Sequence, residues 1–261
     1  MKFTTIANAR KQTGLSYLGN INSSAKMIKN QIVSNNYTYI IYLAPANTSG
    51  YNVCSHSTPE CRMGCLNTSG RAGIEIHSHK TVILNARIKK TRLFFEDQDF
   101  FMQWMIAEIQ MFQRKAKKDD YYFSIRLNGT SDIDWQAVKI GDKNIFEMFS
   151  DVQFYDYTKN PYKFINKASN YHLTFSYTGH NWVKCNEFLQ QGLNVAMVFK
   201  VKKATDIPTM YNGYEVINGD LTDYRPLDGQ GVIVGLKWKR IPNKVTETFV
   251  LNSPFVIKLN N

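Results

Sequence analysis

Hydrophobic and polar residues alternate along this chain with two different periods, and the two periods predict its strands and helices. Residues 37–46 form a nearly continuous apolar run, as expected of a strand buried on both faces. Residues 96–118 carry large apolar side chains at helical spacing and end in a basic run, which predicts a helix. The other predicted strands are 122–127, 152–157, 171–177, 194–201, 214–217 and 232–239, and the other predicted helices are 81–94, 134–149, 160–167 and 182–191.

Strands that alternate with helices in this way predict parallel βαβ units with right-handed connections. We therefore predict an α/β fold with a partial or complete parallel (β/α) barrel, TIM-like, and the alternative is an open doubly wound sheet. Residues 1–36 show weak periodicity and many Asn, Ser and Thr residues. They are predicted to form an irregular N-terminal extension or a short hairpin, followed by a single domain over residues 37–261.

Positive charge is concentrated in the first third of the chain. Residues 1–92 contain 12 Lys and Arg residues and two acidic residues, whereas the other 169 residues contain 20 basic and 19 acidic residues. The two segments therefore carry +10 and +1. Such a field attracts anions, so the candidate partners are nucleic acid and a small anionic ligand; the simpler alternative is a solvated basic face. No segment has the pattern of a signal peptide or membrane span, and no membrane partner is predicted.

Three of the four cysteines, Cys54, Cys61 and Cys65, lie within twelve residues in the loop after the first predicted strand. Few cysteines in such close spacing indicate a metal site in a reducing compartment. The Cys-x6-Cys-x3-Cys spacing favours a [4Fe-4S] cluster, because structural zinc needs four ligands and usually uses Cys-x2–4-Cys. Zinc completed by His56 or Cys185, and no metal at all, are the alternatives.

Cys185 permits two interpretations. It lies in the first turn of a predicted helix that begins at the carboxyl end of a strand, where it could reach the cluster as a fourth metal ligand. It also shares a helical face with Trp182 and Leu189, as a buried and inert cysteine would. The sequence favours the second interpretation, and Cys185 stays a candidate ligand.

Active sites and ligand-binding sites of α/β folds lie at the carboxyl ends of the strands, and in this chain the residues at these ends are polar. Asp156 and Lys159 follow one predicted strand and are the candidate acid and base. The candidate hydrogen-bonding contacts to a bound ligand are Asn128, Thr130, Asp132 and Ser176.

The cysteine loop and a series of downstream motifs resemble the phage-encoded gene product 88-like family. The motifs are the three cysteines with Leu66 and Gly70-Arg71, Ala86-Arg87, Lys90-Thr91, residues 126–132 with Trp135, residues 154–159, 173–176 and 194–199, Asn218-Gly219-Asp220, and Asp223-Tyr224-Arg225. The resemblance covers about residues 25–240. Because the motifs follow one another in the same order, the whole set is more specific than any single motif.

That family is similar to a partial radical-SAM barrel. The resemblance therefore implies a partial (β/α) barrel with an iron–sulfur cluster on the loop after the first strand, in a protein made in the cytoplasm of the infected bacterial host. Radical-SAM enzymes use Cys-x3-Cys-x2-Cys at this point and a Gly-Gly-Glu-type segment after the second strand. This chain has neither pattern, because its cysteine spacing is different and residues 128–132 follow its second strand in place of a Gly-Gly-Glu-type segment. We therefore do not expect S-adenosylmethionine to bind.

These features together predict a viral iron–sulfur protein. Its cluster would perform redox or Lewis-acid chemistry on a small anionic ligand at an open iron. Two other classes of protein fit the sequence. One is a nucleic-acid-binding phage accessory protein with a structural cluster or zinc, and the other is a virion or assembly component.

Overall fold

The computed structural model of the chain describes residues 1–22, 25–68 and 81–259. Its helices are α1 (Ile6–Thr13), α2 (Ala25–Ser34), α3 (Pro59–Met63), α4 (Val82–Glu96), α5 (Gln98–Lys118), α6 (Ile145–Met148), α7 (Trp182–Gln190) and α8 (Lys244–Asn252). Its strands are β1 (Gly19–Asn20), β2 (Asn36–Ile41), β3 (Tyr122–Arg126), β4 (Lys139–Ile140), β5 (Lys143–Asn144), β6 (Gln153–Thr158), β7 (Tyr171–Ser176), β8 (Val195–Phe199), β9 (Met210–Tyr211), β10 (Tyr214–Asn218), β11 (Ile233–Lys237) and β12 (Val256–Ile257).

A mostly parallel sheet lies at the centre of the described structure. Its strands follow the order β1-β2-β3-β6-β7-β8-β11-β10-β9, and β12 also pairs with β8. The outermost pairs, β1–β2 and β9–β10, are antiparallel. The inner pairs are parallel. The predicted α/β class with a mostly parallel sheet is therefore confirmed.

The sheet is open as far as the described strands go. β1 and β9 are its two edges, and no described pair joins them, so the predicted TIM-like barrel is not confirmed. From β2 through β3, β6 and β7 to β8 the strands lie side by side in chain order. The carboxyl ends of these five parallel strands consequently meet along one edge of the sheet.

The two faces of the sheet differ in chemistry because successive side chains of a strand point to opposite faces. On the outer face, Tyr39 of β2 joins the large hydrophobic core with Trp104 of α5. On the inner face, Thr38 of β2 and Tyr155 of β6 lie at the alternate positions. The side-chain amide of Asn30, which belongs to α2, donates a hydrogen bond to each of these two hydroxyls. The inner face is thus a polar surface covered by α2.

Residues 1–36 are more regular than the sequence pattern predicts. Helix α1 begins after Thr5, whose hydroxyl accepts a backbone N–H of the first turn, and ends at Gly14 in the left-handed conformation. The buried carboxylate of Glu108 accepts the backbone N–H groups of Leu18 and Gly19, which fixes β1 against the sheet. The prediction of an irregular extension is therefore wrong for the described residues.

The predicted helix over residues 134–149 is also wrong. This segment forms a 3-10 turn at Trp135–Ala137, a hairpin of β4 and β5, and the short helix α6. Gly141 adopts a φ of 59° in the hairpin turn, which glycine does at little cost. Asn144 then caps α6 in a capping box with Glu147. Local turn and cap chemistry overrides the helical spacing of the apolar residues here.

The C-terminal segment has no counterpart among the predicted elements. β12 pairs with β8 at Val198 and Phe199, beyond the residues at which β7 pairs with β8. Helix α8 packs against α3, the helix of the cysteine loop. The last described residues therefore lie over the carboxyl edge of the sheet, where the cysteines are.

Candidate metal centre at the cysteine loop

The cysteine loop follows β2 at the carboxyl edge of the sheet, as predicted. Cys54 lies at the start of the loop, Cys61 lies within α3, and Cys65 follows the C-cap of that helix. The hydroxyl of Thr58 accepts the backbone N–H of Cys61 at 3.3 Å and caps α3. Proline at position 59 begins the helix and sharpens this start.

The three thiols of this loop are neighbours in space. Each is half-buried. Burial raises the pKa of the Cys54 thiol, and Cys61 acts in the same direction. Burial raises the pKa of Cys65 to about 12, and both Cys61 and Cys54 act in the same direction. The chain alone therefore keeps these two thiols protonated at neutral pH. A bound metal would reverse this, because it binds the thiolate.

Two cationic side chains face the thiols. Burial acts to lower the pKa of Lys159, but the Cys61 sulfur and the Asp132 carboxylate outweigh it, and the pKa lies above its ordinary value. Arg87 of α4 acts to lower the pKa of Cys65, and its guanidinium lies 5.1 Å from the ring centroid of Tyr42. Two cations therefore lie beside the sulfurs, where they would offset part of the negative charge of thiolate ligands.

Asp132 joins the cysteine loop to the carboxyl end of β6. Its backbone N–H donates to the carbonyl of Val53 at 2.7 Å. Its carboxylate accepts the hydroxyl of Thr158 at 2.7 Å, the backbone N–H of Lys159 at 2.8 Å and the ammonium of Lys163 at 2.5 Å. The Lys163 side chain has no exposed surface. Asp132 thus positions the loop and Lys159 relative to each other.

Asn128 and Asp156 form a second hydrogen-bonded centre beside the loop. The Asp156 carboxylate accepts the backbone N–H of Asn128 at 2.9 Å and the hydroxyl of Tyr171 at 3.0 Å. The Asn128 side-chain oxygen accepts the backbone N–H of Ile133 at 2.9 Å and the indole N–H of Trp135 at 3.2 Å. The polar atoms of both residues bind within the chain and fix the loop after β3.

Thr130 and Ser176 lie at the carboxyl ends of two different strands. The Thr130 hydroxyl donates to the carbonyl of Leu43 at 2.6 Å, and the Thr130 carbonyl lies 3.9 Å from the Cys54 sulfur, which donates to it. Ser176 is the last residue of β7 and is buried. Thr130 therefore supports the cysteine loop directly, whereas Ser176 lies on the neighbouring part of the edge.

The candidates for a fourth ligand lie in different surroundings. Cys185 is fully buried on α7 in the hydrophobic cluster that contains Phe175 and Phe188, and burial alone raises its pKa to about 12. His56 is exposed, and its Nδ1 lies 2.9 Å from the hydroxyl of Ser55. Among residues 1–22, 25–68 and 81–259, no group of three or more His, Cys, Asp or Glu side chains is arranged to hold a metal ion. Gly70 and Arg71 lie outside the described residues.

Sequence reasoning missed the C-terminal cover of the loop. Cys61 packs against a hydrophobic cluster that includes Val250 of α8 and Phe255. A Cβ atom on Gly64 would meet Val250 at 3.2 Å and the Glu60 carbonyl at 3.0 Å, so a glycine is needed at this approach. These contacts join residues far apart in the chain, and no local motif indicates them.

Part of the predicted basic surface is not available to a partner. Lys90 is buried, its ammonium donates to the carbonyl of Leu18 at 2.7 Å, and it lies 4.4 Å from the ring centroid of Tyr17. Burial lowers the pKa of Lys90 to about 8. Lys29, by contrast, is exposed, and its ammonium donates to the carbonyl of Asp220 at 3.2 Å. Binding of nucleic acid stays a prediction that rests on the exposed basic residues.

We expect the contribution of Asp156 to the free energy of unfolding to fall as the pH rises from about 4 to about 6. Burial raises the pKa of Asp156 from 3.8 to about 6, against the opposing effect of Arg126. The folded state therefore binds the proton more tightly than the unfolded state, and stability present below pH 4 is lost as the pH rises through 6. Urea unfolding of the wild type and of a variant without this carboxyl, at pH 4, 5 and 6, measures this contribution as a difference.

The matched variant is Asp156→Asn, which cannot ionise at this position. Asp228, whose pKa burial also raises to about 6, keeps its own contribution, so the variant should flatten only part of the slope. The account of Asp156 fails if the stability difference between wild type and variant is the same at all three pH values.

Comparison with known proteins gives one match. The model of a family described as Gene product 88 matches residues 7–250. No curated protein and no solved structure matches the chain. In the described residues, we find no helix with the length and hydropathy needed to cross a bilayer.

Proposed function

The chain belongs to the gene product 88 family of phage proteins, and from this premise we propose that it holds a [4Fe-4S] cluster through Cys54, Cys61 and Cys65. The observation that carries the proposal is the placement of three neighbouring thiols, with a lysine, at the carboxyl edge of a parallel sheet. A cluster binds each thiolate through a different iron atom. Its ligands therefore need not converge on one point, as those of zinc must.

The charges around the loop support the same proposal. Three thiolates and an iron–sulfur core carry net negative charge, which increases on reduction. Lys159 and Arg87 are placed to offset that charge, and cations near a cluster stabilise its reduced form. Cys185 is not a ligand in this proposal, because it packs in the hydrophobic cluster formed by α7 and the neighbouring strands.

With three protein ligands, one iron is left for a small anionic ligand. The cluster would supply an electron or a Lewis acid at that iron. Lys159 is the candidate proton donor at the edge, with Asp156 as the second acid–base candidate, and Ser176 is a candidate contact. The remaining candidates, Asn128, Thr130 and Asp132, already donate and accept hydrogen bonds within the chain and are proposed to position the loop.

The likeness to a partial radical-SAM barrel belongs to the same proposal. It is supported by five parallel strands in chain order and by the position of the cysteine loop after the first of them. The different cysteine spacing argues against S-adenosylmethionine as the ligand. We place the protein in the cytoplasm of the infected host, where thiolates stay reduced.

Electron paramagnetic resonance of the reduced protein tests the open iron. Cyanide, a strong ligand of iron, should change the spectrum, whereas S-adenosylmethionine should leave it unchanged. An identical spectrum with and without cyanide would mean that a side chain fills the fourth position, and electron transfer would then replace ligand chemistry as the function. A response to S-adenosylmethionine would instead restore the radical-SAM mechanism.

A further inference from the structure

The inner face of the sheet contains several buried polar atoms that have no hydrogen-bond partner in the described chain. Four of these atoms are the Tyr157 hydroxyl, the Thr174 hydroxyl, Nε2 of His172 and Nε of Arg225. Nε of Arg126, whose guanidinium lies over the Tyr157 ring, and Oδ2 of Asp228, the ion-pair partner of Arg225, also have no hydrogen-bond partner. Tyr157 of β6 and Thr174 of β7 are directly paired across the two strands. Arg225 lies in a turn that packs against β7, and it interacts with Tyr157. The four side chains therefore share one region of the inner face.

Buried polar atoms without hydrogen-bond partners lower the stability of the folded protein unless a ligand supplies those partners. A buried donor without a partner destabilises the folded state, and Thr174 and Arg225 are at most 1% exposed. Elsewhere on the same face the chain does provide partners, since the Tyr155 hydroxyl bonds with Thr38 and Asn30. The absence of chain partners is therefore local to the region around Tyr157.

The donors determine the kind of ligand that fits. Two hydroxyls and a guanidinium N–H can all donate to oxygen atoms of an anion. The charge of Arg225 is partly offset by Asp228 at 3.2 Å, and that of Arg126 by Asp223 at 2.6 Å. These pairs leave the region with little net charge, so a carboxylate, which adds one negative charge, is less costly to bury there than a doubly charged phosphate.

We propose that Tyr157, Thr174 and Arg225 bind a small carboxylate on the inner face of the sheet. The region adjoins the cysteine loop, because Lys159, which interacts with the Cys61 sulfur, follows Tyr157 by two residues just beyond the end of β6. The carboxylate site needs no cluster to form. It is thus a second site, in addition to the proposed metal centre.

The variants Tyr157→Phe and Thr174→Val test this site, with Tyr155→Phe as the matched control on the same strand and face. Removing a hydroxyl that has no chain partner should leave the thermal unfolding midpoint of the unliganded protein unchanged or raised. Tyr155→Phe should lower that midpoint, because its hydroxyl has two chain partners. The probes are sodium acetate, sodium propionate and sodium phosphate at constant ionic strength.

We expect acetate and propionate to raise the unfolding midpoint of the wild type, and calorimetry to give a Kd about tenfold or more higher for Tyr157→Phe. Stabilisation by phosphate alone, or equal carboxylate affinity in wild type and both variants, would overturn the proposal. A loss of stability in unliganded Tyr157→Phe as large as in Tyr155→Phe would also overturn it, by indicating a hydroxyl held by internal water. The same titration of Cys61→Ser protein separates a failure of this site from a failure of the metal centre.

Discussion

Replacement of Cys61 by Ser should abolish binding of iron and sulfide. Cys61 is the central sulfur of the loop, since it lies near Cys54, Cys65 and Lys159. Two remaining thiolates would hold a four-iron cluster poorly, and the binding free energy of a metal site is partly folding free energy. The variant should therefore also lose the stability that the cluster gives to the loop. Metal analysis and the visible absorption spectrum of anaerobically purified protein measure the effect.

Cys185→Ser is the matched control for this experiment. Its sulfur packs among the aromatic side chains of α7 and β7, so the variant should keep its full iron and sulfide content. It should lose some stability, because a hydroxyl is buried in an apolar place. Loss of iron from the Cys185 variant, or retention of iron in the Cys61 variant, would refute the assignment of the ligands.

Replacement of Asp132 by Ala should cost about 3–5 kcal/mol of unfolding free energy, because it leaves a buried charge without its partner. The Lys163 ammonium is fully buried and would keep only the carbonyl of Ile133, at 2.8 Å. The change also removes the acceptor of the Lys159 backbone N–H and of the Thr158 hydroxyl. Urea unfolding of metal-free protein measures the loss.

Asp134→Ala is the control for this variant, two residues away in the same loop. Asp134 only caps a 3-10 turn by accepting the N–H of Gln136 at 3.2 Å, and its loss should cost about 0.5–2 kcal/mol. Combining Asp132→Ala with Lys163→Met should recover part of the loss, since the buried charge is then gone. If Asp132→Ala is no more destabilising than Asp134→Ala, Asp132 does not hold the site together.

Much of the sheet could be predicted from the sequence, because the apolar runs at β2, β6, β7 and β8 have the length and spacing of buried strands. The placement of the cysteine loop after β2 follows from that order alone. The resemblance to the gene product 88 family is confirmed by the family match over residues 7–250. The part of that resemblance that concerns radical-SAM barrels stays a proposal.

The sequence could not predict features that depend on contacts between distant residues. Lys163 has the pattern of an exposed lysine, and only the fold places its ammonium against Asp132. Arg225 and Thr174 lie 51 positions apart, and the inner face brings both beside Tyr157. Helix α8 packs against α3, and no local motif in the sequence of α8 indicates this contact with the cysteine loop.

The iron and acid-labile sulfide content of wild-type protein purified without oxygen is the most direct test of the metal centre. The proposed cluster predicts a brown protein with about four iron and four sulfide ions per chain. Stoichiometric zinc without sulfide, or neither metal nor sulfide after reconstitution with iron and sulfide, would contradict the central claim that the cysteine loop holds an iron–sulfur cluster.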